Sequence, residues 1–126
     1  MVLLPVNSTK LGINPFKTMK LLPQTLLKKI PPLYSQPAHD DLEQEMVFYI
    51  KLFTPWSQWT WYIAEYDPNT ETAWGLVQGQ ELEYGTFSID EIRQLKGPFG
   101  LKVEREKTFW KTKEKDLLFK IRNGTY

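Results

Sequence analysis

The sequence predicts an α+β fold, an antiparallel meander of four to five strands with helices packed on it. Three observations carry this. Short runs of β-branched and aromatic residues follow one another from Met46 to Phe87. The segments joining them are too short for parallel crossovers. Helical patterns lie before and after the strands rather than alternating with them.

In chain order, residues 1–18 read as an irregular extension, because Pro5, Asn7, Gly12, Asn14 and Pro15 break every periodicity. Residues 19–126 read as a single domain. A first helix is predicted from Pro23 to Ile30, with Leu22, Leu26, Leu27 and Ile30 on one face. Pro31 and Pro32 stop it, and a polar loop follows. The run MVFYIKLF from Met46 predicts a strand with Phe48, Ile50 and Leu52 on one side and Tyr49, Lys51 and Phe53 on the other. The run WTWYIAEY predicts a second strand. Strict alternation puts Trp59, Trp61, Ile63 and Glu65 on one side of it, and Thr60, Tyr62, Ala64 and Tyr66 on the other. Asp67-Pro68 opens a turn. Further strands are predicted over Ala73–Gln78 and Leu82–Phe87. Ser88 and Glu91 form a capping box that starts a helix, which Gly97-Pro98 closes. A short strand, Lys102 to Glu106, precedes a last helix over Lys113–Arg122 with Thr112 as its N-cap.

The chain has no cysteine, which excludes disulfides, thiolate metal sites and a cysteine nucleophile. No apolar run reaches the roughly 18 residues of a membrane span, and the N-terminus has no secretory pattern. The expected location is the cytoplasm. Net charge is only +1, but it is segregated along the chain. Residues 1–39 carry five lysines and no acid; residues 40–92 carry eleven acids and one base, Lys51; residues 93–126 carry ten bases and four acids. Either the fold keeps these blocks apart, giving an acidic and a basic face, or it interleaves them.

The stretches KLFTP, WTWYIAEYDP, GLVQGQELEYGTFSIDEI and KGPFGLKVERE, with the opening LLPQTLLKKIPPLYSQ, resemble the bacterial and plasmid-borne domain-of-unknown-function family twenty-nine fifty-eight. The resemblance runs from about Leu21 to Phe109. It implies a small stand-alone domain often carried by mobile elements, and it implies no catalytic residues. Glu106 stands where aspartate is more common in that family, and FWKTK replaces a proline-containing link to the last helix.

No catalytic constellation is legible, and no cofactor is expected. The only histidine, His39, lies in a polar loop beside Asp40 and Asp41 and reads as solvated. No phosphate-binding glycine motif is present. The primary expectation is a non-enzymatic binding module that engages a protein partner, in the setting of a mobile element or of host defence. Its surface would be an acidic, aromatic one built from Trp56, Trp59, Tyr62, Tyr66, Glu65, Asp67, Glu81 and Glu83. An alternative is single-stranded nucleic-acid binding through the sheet aromatics and the basic C-terminal segment. A second alternative is a metal-dependent enzyme, should Glu65, Asp67, Glu81 and Glu83 converge, although no metal site is expected. Arg105 completes the candidate residues. On a last strand at the edge of the meander, it is expected to pair with a sheet carboxylate such as Glu83 or Glu65.

Overall fold

A computed structural model describes residues 21–39, 41 and 43–124; the expected extension, residues 1–18, lies outside them. The elements are α1 (Gln24–Leu27), β1 (Val47–Phe48), β2 (Ile50–Phe53), β3 (Thr60–Asp67), β4 (Thr72–Gln78), β5 (Leu82–Ser88), α2 (Ile89–Gln94), β6 (Glu104–Arg105), β7 (Thr112–Lys113) and α3 (Glu114–Arg122). A five-stranded sheet has the order β5-β4-β3-β2-β6, and β1 and β7 form a second, two-stranded one. All pairings are antiparallel. The fold is therefore α+β, as the short connections require. No helix among the described residues is long and apolar enough to cross a membrane.

The central strand β3 is buried from Thr60 to Tyr66, because both faces of the sheet are covered. On the Trp61 face, Ile50, Leu52, Trp61 and Ile63 pack with Leu22 and Ile30 around α1 and with Ile89 and Ile92 of α2. On the Tyr62 face, Phe48, Tyr62 and Leu76 pack with Leu117 of α3, with Leu118, Ile121 and Phe109 half-buried around them. Of these, Phe48, Ile50, Leu52, Trp61, Ile63 and Leu76 are the ones that patterning assigns to the core, and they divide between two clusters.

Two local irregularities decide which side some of the residues join. The predicted first strand is broken at Tyr49, whose N–H donates to the Ile63 carbonyl at 2.8 Å. Phe48 thereby leaves the side of Ile50 and Leu52 and joins the Tyr62 face. In β3 the register with β4 slips between Ile63 and Glu65, a β-bulge at Ala64. An extra residue reverses the alternation beyond it. Glu65 consequently lies with Tyr62 and Ala64, while Tyr66 packs with Trp61 and Ile63. This corrects the strict alternation expected from sequence.

The helices show which local signals hold. Ser88 caps α2 by accepting the Glu91 N–H at 3.1 Å. However, α2 ends at Gln94, so Gly97 does not close it. Gly97 instead donates to the Leu101 carbonyl at 2.8 Å in a hairpin-like turn, beside the isolated bridge between Lys96 and Lys102. Thr112 does not cap α3: it is a strand residue opposite Phe48, and its hydroxyl donates to the Trp110 carbonyl at 2.5 Å. The first amides of α3 are satisfied from far along the chain, Glu114 N–H by the Met46 carbonyl at 2.9 Å and Lys115 N–H by Glu45 Oε1 at 3.0 Å.

Gly75 faces β3 so closely that a Cβ there would lie 1.8 Å from the Tyr62 carbonyl oxygen. Its cross-strand partner Gly85 has no atom within 4 Å of a Cβ. Gly75→Ala is therefore expected to destabilise by about 3 kcal/mol or more, since only backbone movement relieves the clash. Gly85→Ala should be neutral or stabilise by up to about 1 kcal/mol. Thermal unfolding of the two variants compares them directly, and equal losses would contradict this packing.

Candidate functional site

The structure sorts the candidate residues into three groups. Tyr62, Tyr66 and Glu65 are core residues, and Glu65 is only 1% exposed. This corrects their expected place on a binding surface. Glu65 accepts the Tyr34 N–H at 2.7 Å and the Gln36 N–H at 2.8 Å. Asp67 closes its own turn, accepting the Asn69 N–H and the Thr70 hydroxyl, each at 3.0 Å. Both residues thus have structural work.

Arg105 forms a second group. On β6 it pairs across from Leu52, and its guanidinium donates to the Leu21 carbonyl at 2.7 Å. Neither expected partner is placed for it. Glu83 lies on β5, the opposite edge of the sheet, and the Glu65 carboxylate is held by the two loop amides. Glu83, Val77, Trp61, Leu52 and Arg105 form one row across the five strands, with acid and base at its two ends.

The third group, Trp56, Trp59, Glu81 and Glu83, gathers at one end of the sheet. The β2–β3 loop that carries both tryptophans is tied by Thr54 N–H to the Trp59 carbonyl at 3.0 Å and by a bond between the Thr54 and Ser57 hydroxyls. Each ring lies over a glycine. A Cβ on Gly97 would meet the Trp56 ring at 2.2 Å, and one on Gly79 would meet the Trp59 ring at 2.5 Å. Trp59 also stacks on Trp61, with centroids 6.0 Å apart, yet stays 43% exposed. Gly79 belongs to the β4–β5 turn, where its N–H donates to the Glu81 carbonyl at 3.0 Å. Glu81, Leu82 and Glu83 are exposed beside it. Neither Glu81 nor Glu83 has a side-chain hydrogen bond or ion pair among the described residues. Glu71 and Asp90, by contrast, both meet Arg93. The turn against Trp56 presents Phe99 fully to solvent in the left-handed region, at φ 58°.

The four carboxylates do not converge. By register Glu83 is on the Trp61 face and Glu65 on the Tyr62 face, with β4 between their strands. Among the described residues no three acidic, histidine or cysteine side chains form a group that a metal ion would use.

Sequence reasoning missed a cluster that involves the only histidine. His39 stacks face to face on Tyr84, with centroids 4.1 Å apart and planes at 15°. Trp74 stacks with the same tyrosine at 6.2 Å. The Tyr84 hydroxyl donates to Glu114 Oε2, a buried carboxylate at the start of α3. Neither residue carries a local signal, since Glu114 reads as an ordinary acid in a first helical turn. Burial raises the Tyr84 pKa, and the bond to Glu114 and its charge add to that. A raised value means that the protonated phenol is the stabilising form. Its contribution is complete below about pH 10 and fades as pH rises through the shifted value. Tyr84→Phe should cost about 1–3 kcal/mol at pH 7 by leaving a buried carboxylate short of a donor. The gap to wild type should narrow above about pH 10. Denaturant titrations at several pH values measure it, and a gap that stays constant would contradict the bond.

No curated protein matches this chain, and no solved structure does. The family described as protein of unknown function (DUF2958) matches over residues 21–120. The match passes beyond Phe109 into α3, so it takes in both sheets and most of the last helix. The chain belongs to that family.

Proposed function

We propose that this protein is a non-enzymatic binding module that engages a partner protein through the Trp59 end of its sheet. The observation that carries the reading is a pair of exposed carboxylates, Glu81 and Glu83, unpartnered among the described residues beside a half-exposed tryptophan. Solvated acids are common, and exposed rings are common singly. Together on one turn they offer an apolar anchor with charge around it, which is how interface hot spots are built. The complementary partner carries a basic segment with an apolar residue that covers Trp59 and Leu82. Charge of this kind steers encounter and fixes register. Phe99 offers a second anchor on the turn that packs against Trp56. The resemblance implies a domain often carried by mobile elements, which makes a protein of such an element or of its host the natural partner.

The test is affinity capture with wild type and variants, followed by titration of the captured protein. Glu81→Lys with Glu83→Lys should weaken binding at least tenfold, about 1.4 kcal/mol. Trp59→Ala should weaken it by about 2 kcal/mol or more. The charge reversals should leave unfolding stability within about 0.5 kcal/mol of wild type, because neither carboxylate has an internal partner among the described residues. Binding should also weaken with added salt. A partner whose affinity ignores all three substitutions would overturn the proposal.

A further inference from the structure

A second surface stands apart from the Trp59 end. A cleft of about 300 Å³ opens where β2 meets the 106–112 segment and α3. Lys51 lines it from β2 and Lys120 from α3. Lys51 is the only base between residues 40 and 92, and the register puts it on the Tyr62 face, opposite Tyr62 itself. The fold thus delivers the one cation of the acidic block to the basic C-terminal segment.

The cleft is built rather than incidental. Glu106 N–H donates to the Lys51 carbonyl at 2.9 Å, and Phe109 N–H donates back to the Glu106 carbonyl at 3.1 Å, closing a turn. The Glu106 carboxylate accepts the Thr108 N–H at 3.2 Å and the Thr108 hydroxyl at 2.9 Å. Those two bonds hold its pKa below the usual carboxylate range, so the acid is occupied by its own turn. The Phe109 ring packs against Tyr62 at 6.1 Å and fixes the segment to the core. Thr112 pins the Trp110 carbonyl. Two lysines and one carboxylate line the cleft, so its formal charge is positive; burial lowers the Lys51 pKa and the nearby Glu106 charge offsets this in part, while Lys107 and Lys111 adjoin the cleft in sequence.

Trp110 lines this cleft and is 78% exposed. The other four tryptophans all have something to lie on. Trp61 is core, Trp56 and Trp59 cover glycines, and Trp74 stacks with Tyr84. Trp110 has no ring partner among the described residues. A bare indole beside two ammonium groups matches one ligand chemistry closely. A flat base stacks on the indole, and an attached phosphate meets the lysines, which bind it as point charges. The volume is at the low end for small-ligand sites, which suits one such unit rather than two.

We infer that the cleft between Lys51, Lys120 and Trp110 binds a nucleotide unit, with its phosphate on the two lysines and its base on the indole. The unit is either a free mononucleotide or one residue of a single strand. This site shares the basic C-terminal segment with the earlier alternative but uses Trp110 in place of the sheet aromatics, and it is independent of the protein-binding end.

The experiment is titration of the full chain with adenosine monophosphate, with a short oligothymidylate and with inorganic phosphate, followed by tryptophan fluorescence and by chemical shifts. Quenching of Trp110 by a nucleotide probe is expected, together with shifts at Lys51 and Lys120. Trp110→Ala should weaken binding at least tenfold, and Trp110→Phe should restore part of it. Trp110 is exposed enough that neither change should impair folding. Lys120→Gln should weaken binding and flatten its salt dependence, whereas Lys115→Gln, at the start of α3 and outside the cleft, should change neither. Equal affinity for the mononucleotide and the oligomer assigns a free nucleotide; binding of the oligomer alone assigns a strand. The inference is overturned if neither probe binds, if Trp110→Ala binds as wild type does, or if inorganic phosphate binds as tightly as the mononucleotide.

Discussion

Two backbone amides of a loop point at one buried carboxylate, and much of the molecule is arranged to allow this. Glu65 sits in β3 with almost no solvent contact. A carboxylate in such a place is costly unless hydrogen bonds replace its water. The Tyr34 and Gln36 N–H groups do so, and Tyr34 adopts φ 64° in that loop. The Gln36 side chain extends the arrangement. Its Nε2 donates to the Val47 and Ala64 carbonyls, and its Oε1 accepts the Val47 N–H, all at 2.8 Å. The glutamine thus acts as a stray peptide group joining β1 to the bulge. The Pro31 carbonyl accepts the Tyr66 N–H just beyond. Loop, bulge and first strand are one hydrogen-bonded unit.

That unit decides where the rings and charges go. The bulge turns Tyr66 inward on the Trp61 face, where Ala73 lies opposite. It also puts Glu65 on the far side of the sheet from Glu83, which prevents a four-carboxylate centre. With β3 buried from Thr60 to Tyr66, its rings are withheld from recognition. Two of the exposed rings sit beside charge, Trp59 with its acids at one end and Trp110 with its lysines in the cleft. The charge blocks of the sequence therefore persist in part at these two sites, with Lys51 as the exception that the register transfers to the basic side.

The sequence makes the sheet, its meander order and the Ser88 cap legible, because each rests on contacts close along the chain. The identity of the core was legible too: Phe48, Ile50, Leu52, Trp61, Ile63 and Leu76 are all buried. What fails is parity. Nothing in WTWYIAEY marks Ala64 as a bulge, because the cause is Gln36 and Glu65 meeting across a separation of 29 residues. The break at Tyr49 and the capping of α3 by Glu45 likewise depend on partners far along the chain. Arg105 was misjudged for a related reason. Its strand joins β2 rather than β5, a choice that depends on which sheet edge is open and not on local pattern.

Native-state hydrogen exchange at the Tyr34 amide tests the central role of Glu65 most directly. Tyr34 is an exposed loop residue whose side chain is mostly in water. An ordinary loop amide there would exchange with little protection. If the Glu65 carboxylate holds the loop on the bulge, the Tyr34 and Gln36 amides should instead be protected to a degree approaching that of the β3 amides. Glu65→Gln should then release both amides while leaving the β4–β5 pairing protected. Fast exchange of the Tyr34 amide in the wild-type protein would contradict the account.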